Sequence, residues 1–302
     1  MAKQRDLLTF EVDGHTITAL AATPAAPTGK PLIAALHGGT YTARYFDVAG
    51  APEGSFIDVA TAHGYPVLAF DRPGYGGSSP LDPDANTFGR HAALLGNALA
   101  QATKRQAVDA LFLVGHSIGG MIALMIAAGA RDLPLIGVSA TGMGAAIPPG
   151  GAAEALGALP PDEVVDLPYG ERDRVMFGPA GTYRPEGLSG ARDAYAPVPV
   201  RELVQAPRWP SEHLPTVAPG VRVPVHNALA EFDALWDSSP ADVARFAAMF
   251  TAAPFVDAHV ARGTGHCIDH HTLGFALHLR QLAFAEECAD WAQARRRSGS
   301  GN

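Results

Sequence analysis

Leu111-Phe112-Leu113-Val114-Gly115-His116-Ser117-Ile118-Gly119-Gly120-Met121-Ile122-Ala123-Leu124 joins an apolar, β-prone run to a Gly-x-Ser-x-Gly pentapeptide, and a breaker-free helical run from Met121 to Ala128 follows at once. Strand, sharp turn, helix is the context of a nucleophile elbow. So tight a turn forces Ser117 into a strained backbone conformation, a cost tolerated mainly at functional sites. Gly115 and Gly119 flank the serine because side chains there would collide as strand and helix close together. The Ser117 hydroxyl is thereby lifted over the end of a sheet, at a helix N-terminus whose unpaired N–H groups suit a developing oxyanion. The bland alternative is an ordinary strand-to-helix turn whose serine caps the helix; the flanking strand and helix weigh against it.

Working outward, the order of segments describes one large α/β unit. Leu7–Val12 and His15–Ala22 around Asp13-Gly14 read as a β-hairpin. Pro31–Leu36 is fully apolar, as a buried central strand is, and ends in His37-Gly38-Gly39-Thr40. Ser55–His63 reads as a helix and Tyr65–Phe70 as a strand. The loop Asp71-Arg72-Pro73-Gly74-Tyr75-Gly76-Gly77-Ser78-Ser79 is glycine-rich but lacks the Gly-Lys-Ser/Thr ending of a phosphate loop, so Asp71 and Arg72 are expected to order it rather than do chemistry. Thr87–Arg105 has apolar residues at helical spacing. Leu133–Ala140, Val221–Leu229 and Pro254–Val260 read as strands, Pro240–Phe250 as a helix capped by Ser238 or Ser239, and Thr272–Arg297 as a closing amphipathic helix before a polar tail, Ser298–Asn302.

This alternation predicts a mostly parallel sheet with helices on both faces, whose loops gather at the carboxyl ends of the strands. Composition changes after Gly142. Met143–Pro219 holds about half of the prolines, scattered aromatic residues (Phe177, Tyr183, Tyr195, Trp209) and no long β run. Short helices are expected at Pro161–Leu167 and Val200–Gln205. A sheet crossover needs far fewer residues. The expected division is therefore a core of 1–142 and 221–302 and a lid of 143–220 that covers the elbow.

Serine needs a base and the base an orienting carboxylate. His266, in Arg262-Gly263-Thr264-Gly265-His266-Cys267 after the last strand, is the expected base, with His270 and His271 as weaker rivals. Asp233 is the expected acid, with Glu231 and Asp237 as alternatives. The backbone N–H groups of Gly39 and Ile118 are the natural oxyanion donors. Tyr41, Trp236 and Met143 are candidate substrate contacts. His266 and His270 are spaced as helix-borne metal ligands would be, but no third ligand is evident and Gly265 argues against a helix there; neither metal nor cofactor is expected. Cys267, beside the base, reads as a buried structural thiol.

The chain resembles the α/β-hydrolase fold superfamily, in its serine-hydrolase, lidded form. The likeness spans His37-Gly38, Asp71-Arg72-Pro73-Gly74-Tyr75-Gly76-Gly77-Ser78, Gly115-His116-Ser117-Ile118-Gly119-Gly120, Asp233 and Gly265-His266, in the superfamily's Ser, Asp, His order. It implies an eight-stranded sheet, an acyl-enzyme on Ser117 and water attack activated by His266. Aspartate-elbow members cleave epoxides or carbon–halogen bonds, and serine argues against both. Gly39 stands where many relatives carry a bulkier residue, and Thr40 replaces the third glycine of the His-Gly-Gly-Gly esterases. The expected reaction is hydrolysis of an ester, lactone or thioester of a small to medium apolar acid. Acyl transfer, perhydrolysis, carbon–carbon cleavage and aminopeptidase action use the same triad, and a non-catalytic ligand receptor can use the same scaffold.

The 302 residues carry a net charge of −8, which argues against nucleic acid or an anionic membrane as partner. With 47% hydrophobic and 17% charged residues a large core is available. Two cysteines make no disulfide framework, the start Met1-Ala2-Lys3-Gln4-Arg5-Asp6 leads into no long signal-type apolar stretch, and no apolar run reaches transmembrane length. A cytoplasmic monomer or homodimer with a small apolar acyl substrate is expected.

Overall fold

The computed structural model describes residues 5–299 except 27, 50, 52, 53, 130, 151–159 and 161. The first four residues, the last three of the expected tail and part of the expected lid lie outside the described residues.

Eight strands form one sheet: β1 (Asp6–Val12), β2 (His15–Ala22), β3 (Leu32–Leu36), β4 (Val67–Phe70), β5 (Leu111–His116), β6 (Leu135–Thr141), β9 (Val225–Phe232) and β10 (Val256–Gly265). Their order is β1-β2-β4-β3-β5-β6-β9-β10. The β1–β2 and β2–β4 pairs are antiparallel and all others parallel. The fold is thus the expected mostly parallel eight-stranded α/β sheet. The Asp13-Gly14 turn joins β1 to β2 with both residues at positive φ (49° and 78°), matching the right-handed twist of the hairpin. β3 and β5 are buried at every position, as strands covered on both faces must be.

Helices α2 (Phe88–Arg105), α3 (Ile118–Gly129) and α8 (Pro240–Ala248) pack on one face, and α1 (Phe56–Ala62) and α9 (Gly274–Gly299) on the other. Each of α1, α2 and α8 opens on a hydroxyl that accepts a first-turn N–H: Ser55 from Asp58, Thr87 from Arg90 and Ser239 from Asp242. Ser239, rather than Ser238, is therefore the cap of α8.

Between β6 and β9 the chain leaves the sheet and forms β7 (Val164–Val165), α4 (Tyr169–Met176), α5 (Pro185–Asp193), β8 (Val198–Pro199), α6 (Val200–Glu212) and α7 (Leu214–Val217). Three expectations change. Among the described residues of the expected helix Pro161–Leu167 there is no helix: Val164 and Val165, β-branched and adjacent, pair antiparallel with β8. Val200–Gln205 is helical but α6 continues through Pro207 and Pro210, because Trp209 and Leu203 bury against the neighbouring elements. Arg262 to Gly265, which lie beyond the expected strand Pro254–Val260, complete β10 after a register shift that pairs Gly265 with Phe232. Among the described residues no helix is long and apolar enough to cross a membrane.

Candidate active site

Ser117 sits between β5 and α3 at φ 53°, a left-handed conformation that costs a non-glycine residue energy. The glycines beside it are required by contact. A Cβ at Gly115 would stand 2.4 Å from the Gly119 carbonyl oxygen, and one at Gly119 would stand 2.1 Å from that of Leu36. Removing those side chains lets α3 start directly above the ends of β3 and β5, so Ile118 is its first residue. Opposite, Thr40 also takes a positive φ (65°). A β-branched residue adopts that conformation only when its surroundings hold it there.

His266 follows β10 and Asp233 follows β9, the neighbouring strand, so the parallel register brings them together. His266 Nδ1 donates to Asp233 Oδ2 (2.9 Å) and Oδ1 (3.1 Å), with both side chains buried. Asp233 Oδ1 also accepts the backbone N–H groups of Leu235 (2.9 Å) and Trp236 (3.1 Å). These bonds fix the carboxylate, which fixes the tautomer and leaves Nε2 as acceptor. The His266 ring lies 5.0 Å from that of His116, the residue next to Ser117.

The rivals are engaged elsewhere. The His270 ring nitrogens face the carbonyls of Gly187 (3.1 Å) and Tyr45 (2.9 Å). His271 Nδ1 meets the Cys267 carbonyl (2.7 Å), while its Nε2 accepts from Gly265 and Gly178. Glu231 accepts the Gly263 N–H from an exposed position, and Asp237 accepts that of Ser239.

A cavity of about 400 Å³ opens over Ser117. Gly39, Thr40, Ile118 and Met121 line it from the core, and Leu235 and Trp236 from the loop after β9. Leu167, Arg172, Val175, Met176, Leu203 and Pro207 line it from the segment between β6 and β9. Of the three expected substrate contacts only Trp236 borders this space. Tyr41 is fully buried, its hydroxyl meeting the Cys267 thiol at 2.7 Å, and Met143 is packed beside Gly120. Tyr41 and Met143, expected to touch substrate, instead turn their side chains into the core. Cys267 is a free, buried thiol whose pKa burial pushes up.

Below the pair lies a buried polar layer. Tyr45 stacks on His116 at 4.7 Å and donates to Asp269 (2.8 Å). Burial opposes charge on Asp269, yet the hydrogen bond from His278 (3.2 Å) holds its carboxyl below the usual range. Burial, with His266 close by, pushes the His116 imidazole well below the usual histidine range.

The loop carrying Gly39 is braced by Arg72. Its Nε donates to the His37 carbonyl (3.0 Å) and its Nη2 to that of Gly38 (3.1 Å). Its Nη1 pairs with Glu202 of α6 at 2.8 Å, both side chains wholly buried, and the Tyr75 hydroxyl donates to the same carboxylate. Arg72 was expected to order its own loop, Asp71–Ser79; its side chain instead braces the neighbouring His37–Gly38 loop. Its acidic partner was not legible in the sequence, because Glu202 lies 130 positions away with no pattern to mark it.

The chain belongs to the alpha/beta hydrolase family, whose pattern it matches over residues 33–276. No curated protein matches it by sequence at a significant level. Among solved structures it is similar to a thermophilic esterase from Thermogutta terrifontis (19% identity, TM-score 0.62, 97% of this chain and 99% of that one). It is also similar to the N-acyl homoserine lactonase AidH, solved as a mutant with N-hexanoyl homoserine lactone (14%, 0.67, 94% and 99%). A third is a membrane phospholipase A described as a bacterial virulence factor (18%, 0.65, 93% and 87%). At these identities the likeness is one of fold.

Proposed function

We propose that the protein is a serine hydrolase that cleaves an ester, lactone or thioester of a small to medium apolar acid. The observation that carries this reading is the hydrogen-bonded His266–Asp233 pair, whose imidazole lies 5.0 Å from the ring of His116, the residue before a strained Ser117 that borders the cavity. In this mechanism His266 Nε2 takes the Ser117 proton as Oγ attacks the carbonyl carbon. The N–H groups of Gly39 and Ile118 receive the oxyanion, Ile118 because the first N–H groups of a helix have no intrahelical acceptor. Collapse expels the alcohol or thiol, protonated by His266, and leaves an acyl-Ser117. Water, deprotonated by the same imidazole, then releases the acid. Residues 143–220 act as the lid, since they supply one wall of the cavity. The esterase and lactonase names among the structural neighbours agree with carbonyl chemistry of this kind.

The test pairs a fluorophosphonate with a series of p-nitrophenyl esters of increasing acyl length. One covalent adduct on the wild type and none on Ser117→Ala, with ester turnover lost in the variant, is expected. Turnover at the wild-type rate by folded Ser117→Ala overturns the reading. Partition of product between water and an added alcohol separates hydrolysis from acyl transfer.

A further inference from the structure

The two strands that present the triad acid and base carry a second cluster near their other ends. His226 is the second residue of β9 and pairs across the ladder with Asp257, the second residue of β10; His259 follows two positions later. That spacing puts all three side chains on one face of the sheet. One nitrogen of each imidazole and a carboxylate oxygen of Asp257 lie within 4.8 Å of one another.

The hydrogen bonding of the cluster is incomplete in a specific way. His226 is wholly buried. Its Nδ1 is 2.8 Å from Ser139 Oγ, which also accepts from Gln281 Nε2 of α9 (3.0 Å). With Nδ1–H donated to that oxygen, Nε2 carries the lone pair, and it has no hydrogen-bond partner. His259 Nδ1 is likewise buried and without a partner. Two buried imidazole nitrogens left open beside a carboxylate are poor packing for a structural pair and a good first shell for a cation: a hydrogen-bonded outer nitrogen that fixes the tautomer is what metal-ligating histidines show.

We propose that His226, His259 and Asp257 bind a transition-metal ion of the Zn²⁺ type, which ties β9 to β10 at the end of the sheet opposite Ser117. Two imidazoles and one carboxylate suit Zn²⁺ and disfavour Mg²⁺ and Ca²⁺, which prefer all-oxygen sets. Ligand atoms about 2.1 Å from a tetrahedral ion stand roughly 3.4 Å apart, so a small rotation of the exposed Asp257 side chain closes the set. Arg280 of α9 is the charge that opposes a cation here, and Asp257 offsets it. Access is from a second cavity of about 810 Å³, lined by His259, Arg262, Leu277 and Arg280 among others. The role is structural: the ion holds in register the two strands whose far ends present Asp233 and His266.

The experiment titrates chelator-stripped full-length protein with ZnCl₂ and, separately, MgCl₂ by calorimetry, and follows Tm and the Co²⁺ visible spectrum. One Zn²⁺ per chain, a Tm that rises with Zn²⁺ concentration, a four-coordinate Co²⁺ spectrum and no response to Mg²⁺ are expected. Asp257→Asn, at an exposed position, and His259→Ala each weaken Zn²⁺ by at least about tenfold, while His63→Ala leaves it unchanged. Far-UV circular dichroism and cooperative urea unfolding of each variant report that it is folded, independently of the metal and of Ser117. Failure of the folded wild type to bind one equivalent overturns the proposal, as does Zn²⁺ binding that survives both Asp257→Asn and His259→Ala.

Discussion

Asp233 holds four short contacts: two to the His266 ring nitrogen and two from the N–H groups of Leu235 and Trp236. Asparagine keeps one oxygen for the backbone N–H groups but turns an NH₂ toward Nδ1. The imidazole then needs its lone pair at Nδ1 and its proton at Nε2, the tautomer that cannot accept from Ser117. For Asp233→Asn the expected outcome is a kcat on p-nitrophenyl esters about 10⁴-fold lower, with Tm little changed. A fall in Tm large enough to account for the lost activity would make the contact structural. Ser117, His266 and Asp233 stand out in the sequence as candidates because each follows a strand in the order the elbow requires. Arg172 and Leu203 in the cavity wall were not, since no spacing rule links them to Ser117.

At the scale of elements, α6 is fastened to the core by the ion pair Arg72–Glu202, buried between the His37–Gly38 loop and the helix. Prolines 207 and 210 interrupt its hydrogen-bond ladder, so α6 depends on such tertiary contacts more than on propensity. Glu202→Gln leaves a buried guanidinium without its counter-charge. A loss of about 3–5 kcal/mol in urea unfolding is expected, together with slower acylation, because Arg72 also holds the carbonyls beside Gly39. The double replacement Arg72→Met with Glu202→Leu removes both charges and is expected to recover much of the stability but not the rate. Equal stability of Glu202→Gln and the wild type would show that the pair contributes nothing to fastening the helix.

Across the whole molecule, His37, His91, His116, His270 and His271 are all buried and all held below the usual histidine range, chiefly by burial, with His271 at about 4. Above pH 6.5 these rings are neutral in both the folded and the unfolded chain, and pH has no leverage through them. As pH falls below 6.5 the unfolded chain takes up protons that the folded one refuses, so stability is lost toward pH 4. Each such group contributes a slope of up to about 1.4 kcal/mol per pH unit. The unfolding free energy from urea titrations is expected to fall steeply between pH 6.5 and 4.5 and to be nearly flat from 7 to 8. A flat profile through pH 5 would mean that these rings are charged in the folded state.

The sequence by itself determined the mostly parallel sheet and its strand–turn–helix elbow, because periodicity, glycine positions and turn chemistry are local and each strand and helix carries its own signal. It determined the residue types at the acid and base positions but left rivals for each. Only the tertiary structure shows His266 paired with Asp233 and His270, His271, Glu231 and Asp237 engaged elsewhere. It alone turned Tyr41 and Met143 inward, made a strand of Val164–Val165, joined Arg72 to Glu202 and set His226 beside Asp257 and His259. These are meetings between segments distant in sequence, and their partners are chosen by packing and by the need to satisfy buried polar groups, neither of which leaves a periodic trace along the chain.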